Sequence, residues 1–170
     1  MSLPRPDLIC RSVATVDFSA LSRLGRTAVM LDVDNTIALR RGLEVVPDIQ
    51  AALLRARSDG YVTGLCLVSN TMWGRRREAR VAAMARSLDA SFVCARWWAP
   101  KPRPGPFRRA LRLLRAEAAQ AVMIGDQYFT DVKGAHRLGI YTVLVEPLGP
   151  DAWFTAFRRW QERRLSVREG

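Results

Sequence analysis

Cysteine and histidine are scarce in this sequence, which has three cysteines and one histidine among its 170 residues. Cys10, Cys66 and Cys94 are odd in number and show no Cys-x-x-Cys spacing, and the last two lie in apolar contexts. We interpret them as reduced core residues of a cytosolic protein. His136 has no partner motif, and we interpret it as a surface or packing residue.

Long apolar segments are absent as well. Nowhere are there about 18 consecutive apolar residues, the length that spans a bilayer. Residues 1–10 contain no apolar run of signal-peptide length. We therefore expect a cytoplasmic protein that is soluble, or at most peripheral to the inner face of the membrane.

Acidic residues are few relative to basic ones. The chain has 16 Asp and Glu against 27 Lys and Arg, which gives a net charge of +11. An excess of this size indicates an anionic partner, such as a phosphorylated small molecule, a nucleic acid or an anionic membrane surface. An arginine-rich, GC-rich genome would produce the same bias, so the charge alone does not choose among these readings.

The order of apolar runs predicts the fold. The chain is long enough for one domain with a substantial core, and 49% of its residues are hydrophobic. Runs rich in Val, Ile and Leu alternate with helical segments, an order typical of a doubly wound, mainly parallel, Rossmann-like α/β sheet with helices on both faces. Five strands are predicted at 28–31, 62–68, 92–95, 121–124 and 141–145, and helices within 47–60, 74–88, 104–118 and 130–139.

No internal repeat, low-complexity segment or linker interrupts this order, so residues 1–150 are predicted to form a single domain. The character of the chain changes in residues 151–170, a basic aromatic tail in which Trp153, Phe157 and Trp160 recur at helical spacing. This composition is typical of an interfacial helix on anionic lipid. The same aromatic stripe would also suit a helix that docks on its own domain.

Glycine-rich phosphate-binding loops are absent too. Neither Gly-x-x-x-x-Gly-Lys nor Gly-x-Gly-x-x-Gly occurs, which argues against nucleotide-binding variants of this architecture. Instead, polar segments follow four of the five predicted strands, namely DVDNT at 32–36, SNT at 69–71, KP at 101–102 after a short loop, and GDQYFTD at 125–131. The carboxyl ends of parallel strands meet at one edge of the sheet, so we expect these segments to lie together there.

Acidic side chains dominate these segments. Asp32 and Asp34 are two residues apart, so their side chains project to the same side while the chain remains extended. Two carboxylates so close need a cation, and oxygen-only ligands at a strand end favour Mg²⁺. Asp126 and Asp131 supply further acids, and Asp126 follows an apolar run where an unpaired charge would be costly.

Four motifs in this order resemble those of the haloacid dehalogenase (HAD) superfamily of aspartate-nucleophile phosphotransferases. They are LDVDNT, VSN, KP and GDQYFTD, each after a predicted strand. Over residues 3–148 the chain is most similar to the YqeG-like members of subfamily IIIA, which are related to mitochondrial phosphatidylglycerophosphate phosphatases. His136 departs from the pattern, which has Asn at this position.

The resemblance implies roles for the acids. Asp32 would be the nucleophile that forms an aspartyl-phosphate, and Asp34 would be the general acid and base. Mg²⁺ would be held by Asp32, the main-chain carbonyl of Asp34 and Asp126. Asp131 would orient Lys101 or a metal-bound water.

The remaining motif residues are implied to act on the phosphoryl group. Ser69 would donate a hydrogen bond, Lys101 would supply positive charge, and Asn70, Thr36 and Lys101 are assigned to substrate binding. Structural alternatives stay open for three motifs. Ser69 and Asn70 could cap the next helix, Lys101 could be an exposed loop charge, and Asp131 could be the N-terminal acid of its own helix.

The spacing between motifs leaves no room for a cap domain, the insert that usually confers specificity in this superfamily. A capless site is open and suits a large substrate, such as a lipid headgroup, a nucleic-acid end or a phosphoprotein. Trp97 and Trp98 either line its entrance or simply pack. Arg75 to Arg77, near a predicted helix N-terminus, oppose the helix dipole, so they indicate either an anionic substrate or a solvated face.

Two hypotheses from different classes follow. The first is a Mg²⁺-dependent phosphomonoester hydrolase, with phosphatidylglycerophosphate or another large or lipid phosphate as the leading substrate and nucleotide or sugar phosphates as alternatives. Residues 151–168 would then contact an anionic membrane. The second is a non-catalytic basic module that binds RNA or the ribosome, which the intact set of acids disfavours.

Overall fold

The fold is seen in a computed structural model, which describes residues 5–70 and 74–149. The predicted tail helix in residues 151–170 lies outside the described residues. Within the two described ranges, no helix combines the length and the apolar character that crossing a membrane requires.

In the part of the chain that the structure describes, a six-stranded parallel sheet forms the centre. Its strands lie in the order β1-β6-β5-β2-β3-β4, and every neighbouring pair is parallel. The predicted parallel α/β sheet is therefore confirmed, but the predicted count of five strands is wrong. The strands are β1 (Leu8–Cys10), β2 (Ala28–Leu31), β3 (Gly64–Ser69), β4 (Ser91–Cys94), β5 (Ala121–Gly125) and β6 (Tyr141–Val145).

The strand missing from the prediction is β1, at one edge of the sheet. It has three residues, none of them fully buried, so it lacks the apolar run that identifies a buried strand. It pairs with β6, which lies about 135 residues further along the chain, and Asp7 strengthens the pairing. The Asp7 carboxylate accepts hydrogen bonds from the amide and the hydroxyl of Thr142, at 2.8 and 2.7 Å. A contact this distant in sequence leaves no local signal.

Helices cover both faces of the sheet. They are α1 (Phe18–Arg23), α2 (Pro47–Ser58), α3 (Arg75–Ser87), α4 (Pro104–Leu114) and α5 (Lys133–His136). The four predicted helical segments are present, but a π-helical turn, Tyr128–Val132, precedes α5 and takes up part of the last one. The unpredicted α1 is only six residues long, and its N-terminus is capped by the Asp17 side chain.

The core consists of two apolar layers, one on each face of the sheet. Alternate strand residues point to opposite faces, so Val29 and Leu31 pack on the side of α2 and α3, whereas Met30 packs on the side of α4 and α5. Burial on both faces explains why the central strands are continuous apolar runs. The doubly wound arrangement is thereby confirmed.

Strand order also identifies where a ligand would bind. The chain moves from β2 outward through β3 and β4, and then continues on the other side of β2 with β5 and β6. The order reverses at β2, and open α/β sheets bind ligands beyond the carboxyl end of the strand at such a switch point. The residues that follow β2 are Asp32 to Thr36.

The contact between Asp7 and Thr142 should hold the β1 edge in place. We expect Asp7→Ala to lower the free energy of unfolding by about 1–3 kcal/mol, because it leaves the buried amide and hydroxyl of Thr142 without their acceptor. Urea denaturation monitored by circular dichroism would measure the change. Asp59→Ala, at an exposed acid beyond α2, is the control and should change stability by less than about 0.5 kcal/mol. Equal effects of the two substitutions would contradict this role of Asp7.

Candidate active site

The four polar segments meet at the carboxyl edge of the sheet, as predicted. Asp32 directly follows β2, and its amide donates a hydrogen bond to the carbonyl of Ile124 in the neighbouring β5, at 3.0 Å. Ser69 is the last residue of β3, and Asp126 follows β5. Lys101 reaches the same place from the loop after β4.

A pocket of about 490 Å³ opens at this edge. Of the predicted site residues, Asp32, Asp34, Ser69, Asn70 and Lys101 line it, whereas Thr36, Asp126 and Asp131 lie beneath it and are buried. The other described lining residues are Arg40, Arg41, Leu43, Arg76, Arg77, Arg80, Gln127 and Thr130. Neither Trp97 nor Trp98, predicted to line the entrance or to pack, is among them.

Three carboxylates form a buried cluster at the base of the pocket. Asp32, Asp126 and Asp131 each offer an oxygen atom, and these atoms lie within 4.8 Å of one another. The Oδ2 atom of Asp126 is buried and has no hydrogen-bond partner among the described residues. An all-oxygen donor set with an unsatisfied buried carboxylate oxygen suits a hard divalent cation. The residues present therefore fit a metal ion.

Lys101 lies between two of these acids. Its Nζ atom is 2.5 Å from Oδ1 of Asp32 and 2.7 Å from Oδ1 of Asp131, and the residue is only 3% exposed. Burial alone would lower the pKa of Lys101, but the adjacent carboxylates of Asp131 and Asp32 outweigh it and raise the pKa above its ordinary value. Lys101 is thus a charged, buried residue and not an exposed loop charge.

One ammonium does not neutralise three carboxylates. Burial raises the pKa of Asp32 to about 6, although the neighbouring Lys101 works in the opposite direction. Burial also raises the pKa of Asp126 to about 8, with further increases from the charges of Asp32 and Asp131. Both shifts express a cost of keeping these groups ionised, which a bound cation would remove.

Thr36 connects two acids of the cluster. Its hydroxyl lies 3.1 Å from Oδ1 of Asp126 and 3.5 Å from Oδ2 of Asp32, and it also accepts a hydrogen bond from the Asp126 amide. The resemblance assigned Thr36 to substrate binding, but in the structure its contacts are with the carboxylates below the pocket.

Asn70 holds the loop that carries Lys101. Its side-chain amide donates to the main-chain carbonyl of Lys101 at 3.2 Å, and its side-chain oxygen accepts from the Lys101 amide at 2.8 Å. The residue at the N-terminus of α3 is Gly74, and no side chain caps that helix. The alternative in which Asn70 or Ser69 caps the next helix is therefore wrong.

Asp131 belongs to the π-helical turn and packs over Gly125. A methyl group at Gly125 would overlap the Asp131 carboxylate, so this position needs a glycine. The second carboxylate oxygen of Asp131 accepts a hydrogen bond from the Gln127 amide at 3.1 Å. Turns of this kind are rare and are frequently found at functional sites. Here the turn directs Asp131 at Lys101.

Asp34 faces the pocket and is held by an arginine that the sequence analysis missed. Its Oδ1 atom is 2.9 Å from Nη2 of Arg80 in α3, and it accepts a hydrogen bond from the Arg41 amide at 3.1 Å. Arg80 also donates to the carbonyls of Gly42 and Leu39. It therefore attaches the whole loop of residues 35–46 to α3. Arg80 looks like any other arginine of α3 in the sequence, so no local signal could have identified it.

Removal of Arg80 should release this loop. We expect Arg80→Met, which keeps most of the aliphatic stem, to speed amide exchange in residues 35–46 about tenfold or more, since hydrogen bonds to a charged group contribute about 1.5–3 kcal/mol. Hydrogen–deuterium exchange with mass spectrometry would measure it. Arg86→Met, at an exposed arginine of the same helix, is the control. Unchanged exchange in the Arg80 variant would contradict the proposed attachment.

Comparisons with known proteins agree with this geometry. A family model described as HAD-hydrolase-like matches residues 98–147. The chain is 29% identical over 161 residues to the "Probable phosphatase YqeG" of Bacillus subtilis, covering 94% of this chain and 88% of that protein. It is 31% identical over 148 residues to "Phosphatidylglycerophosphate phosphatase 1, chloroplastic" of Chlamydomonas reinhardtii, covering 86% of this chain and 54% of that protein. The chain thus spans most of the first relative but only about half of the second.

A solved structure of a phosphatase is also similar to this chain. The crystal structure of a HAD phosphatase from Thermococcus onnurineus matches with a TM-score of 0.50 and 25% identity, over 69% of this chain and 58% of that one. The motif order, the strand-end carboxylates and these relatives agree. The chain is similar to the HAD superfamily of phosphatases, and within it to the YqeG-like group.

Proposed function

We propose that this protein is a Mg²⁺-dependent phosphomonoester hydrolase in which Asp32 is the nucleophile. The observation that carries the proposal is the position of the Asp32 carboxylate. It lies at the switch point of the sheet, faces the pocket and is paired with a buried ammonium. A phosphate monoester resists attack by an anion, so a nucleophilic carboxylate needs positive charge beside it. Lys101 supplies that charge from the protein itself.

The metal site of the proposal uses the acid cluster. Asp32, the main-chain carbonyl of Asp34 and Asp126 would hold the ion, and the unsatisfied Oδ2 of Asp126 supports its inclusion. When bound, Mg²⁺ supplies positive charge to the phosphoryl oxygens and screens the acids from one another. Thr36 positions Asp32 and Asp126 relative to each other through its hydroxyl.

In the first step an oxygen of Asp32 attacks phosphorus, and the bond from phosphorus to the ester oxygen breaks. Asp34, which faces the same pocket, gives its proton to the leaving oxygen. In the second step Asp34 takes a proton from water, and the water oxygen attacks the phosphorus of the aspartyl-phosphate. The bond to Asp32 breaks, inorganic phosphate leaves, and the carboxylate is restored.

Other residues orient the phosphoryl group and its neighbours. Ser69 would donate a hydrogen bond to a phosphoryl oxygen from the end of β3, and the Asn70 main chain would add a second donor. The Asn70 side chain has a different task, because its two bonds to the Lys101 main chain hold the ammonium in position. Asp131 orients Lys101 from the opposite side.

Substitution of the nucleophile tests this mechanism. We expect Asp32→Asn to reduce kcat for an aryl phosphate about a thousandfold or more, because an amide of the same shape cannot form the phosphoryl intermediate. Steady-state hydrolysis with Mg²⁺ and with EDTA would measure the requirement for the Asp32 carboxylate and the requirement for the metal ion. Asp59→Asn is the matched control at an exposed site. Turnover that is independent of Mg²⁺, or a fully active Asp32 variant, would contradict the mechanism.

The proposed substrate is a lipid phosphate. The name of the Chlamydomonas relative points to phosphatidylglycerophosphate, and the open pocket would accept a headgroup that remains attached to a membrane. Trp97 and Trp98 support the proposal, since they are 56% and 52% exposed in the loop after β4, at the same edge of the sheet as the pocket. Arg96 lies over the ring of Trp98. Exposed tryptophans beside arginine are typical of a membrane interface.

Vesicle binding tests this peripheral contact. We expect the double variant Trp97→Ala/Trp98→Ala to bind anionic phospholipid vesicles at least about tenfold more weakly, because burying half of one such ring in lipid contributes about 2 kcal/mol. Co-sedimentation would measure the change. Tyr61→Ala, at an exposed aromatic before β3 and hence at the opposite edge, is the control.

A panel of phospholipid, nucleotide and sugar monophosphates would be assayed in parallel. Absence of both sedimentation and lipid turnover in the wild type would remove the lipid substrate in favour of a soluble one. Binding of RNA by a wild type that hydrolyses none of the panel would favour the module hypothesis.

A further inference from the structure

Arginines from two separate parts of the chain converge on the pocket. Arg40 and Arg41 lie in the loop after β2, Arg76 and Arg77 lie in the first turn of α3, and all four are exposed and line the pocket. We refer to these four residues as the arginine rim. The sequence alone could not bring the two pairs together, because the contacts of Arg80 with the loop determine their approach.

The charges of the pocket are unevenly compensated. Lys101 is paired with Asp32 and Asp131, and Arg80 is paired with Asp34. By contrast, Arg40, Arg41 and Arg76 form no ion pair with any residue in the described ranges. The positive charges of Arg40, Arg41 and Arg76 are therefore not compensated by any acid in the described ranges, and they are available to a ligand.

The rim is also placed at a cost in stability. Two pairs of like charges across one pocket repel each other, and positive side chains in the first turn of α3 oppose the helix dipole. Arg80 nevertheless holds the loop in this position through its contacts with Asp34, Leu39 and Gly42. An anion bound between the two pairs would reduce both the repulsion between the arginines and their unfavourable interaction with the helix dipole. Phosphate suits this position, because a guanidinium group can form two parallel hydrogen bonds with phosphate oxygens.

This anion is distinct from the phosphate monoester that is hydrolysed. The monoester must reach Asp32 and Lys101, which are buried at the base of the pocket, whereas the rim residues are exposed at its edge. A volume of about 490 Å³ falls in the range of small-molecule sites and exceeds the needs of one phosphate group. The pocket thus has room for two anionic groups on the same molecule.

Building on the proposed function, we propose that the arginine rim binds a second phosphate group of the substrate, either a phosphodiester or a phosphate. The substrate class is then a phosphomonoester that carries a second phosphate group within the reach of one pocket. A lipid headgroup and a soluble metabolite could both supply this second phosphate group. Kinetic comparison of lipid and soluble substrates separates the two sources.

Kinetics with paired substrates test the proposal. Deacylated phosphatidylglycerophosphate has a phosphodiester beside its terminal monoester, whereas glycerol 3-phosphate has the monoester alone. We expect the ratio of their kcat/KM values to fall at least about tenfold in Arg40→Gln/Arg41→Gln and in Arg76→Gln/Arg77→Gln, because each pair loses charge-assisted bonds to the diester. Arg112→Gln, at an exposed arginine of α4 outside the pocket, should leave the ratio unchanged.

The same comparison with dihexanoyl phosphatidylglycerophosphate and dihexanoyl phosphatidic acid identifies the source of the second group. A larger preference in the lipid pair than in the soluble pair assigns the substrate to lipids, and equal preferences assign it to soluble phosphates. A ratio that is unchanged in both rim variants overturns the proposal, since the arginines would then act on the monoester or on general attraction only.

A binding measurement tests the anion site independently of the proposed hydrolase activity. Glycerophosphoglycerol contains a phosphodiester and no monoester, so it reports on the rim without any turnover. Calorimetric titration should show binding to the wild type and to Asp32→Asn, and at least about tenfold weaker binding to each rim variant. A wild type that hydrolyses no substrate could still bind glycerophosphoglycerol more tightly than the rim variants do. In that case the hydrolase proposal fails and the anion site stands. Equal binding to wild type and rim variants overturns the anion site.

Discussion

The ammonium of Lys101, bound between the carboxylates of Asp32 and Asp131, is the interaction on which the rest of the site depends. Three buried acids within 4.8 Å of one another would repel strongly, and this single positive charge from the protein reduces the repulsion. The Asn70 side chain fixes the main chain of Lys101, and the π-helical turn directs Asp131 toward it. The remaining negative charge suits a divalent cation, and burial, reinforced by the neighbouring acids, raises the pKa of Asp32 and Asp126.

A second contact, between Arg80 and Asp34, organises the exposed half of the pocket in the same way. Arg80 binds the carboxylate and two main-chain carbonyls of the loop after β2, so the loop is attached to α3 instead of extending into solvent. The acid proposed for proton transfer and the loop that carries Arg40 and Arg41 are positioned by this one side chain. The site therefore has a buried layer organised by Lys101 and an outer layer organised by Arg80.

Much of the fold was predictable, because its signals are local. The central strands are buried on both faces and appear as short apolar runs, and the helices between them begin and end with Pro, Gly or polar residues. The edge strand β1 and the short helix α1 were not predicted, because they lack such local signals. Three half-exposed residues form a strand only because β6 lies beside them, and six residues form a helix only because they pack on the sheet.

The sequence by itself determined which residues stand at the ends of the strands, and hence that Asp32, Ser69 and Asp126 meet at one edge. The direction of a parallel strand places its last residue whatever the loops do. The tertiary structure alone decided their partners. Lys101 reaches an acid 69 residues away, and Thr36 joins one 90 residues away. Contacts between such distant residues depend on how the helices and loops pack, and packing leaves no pattern in a single stretch of sequence.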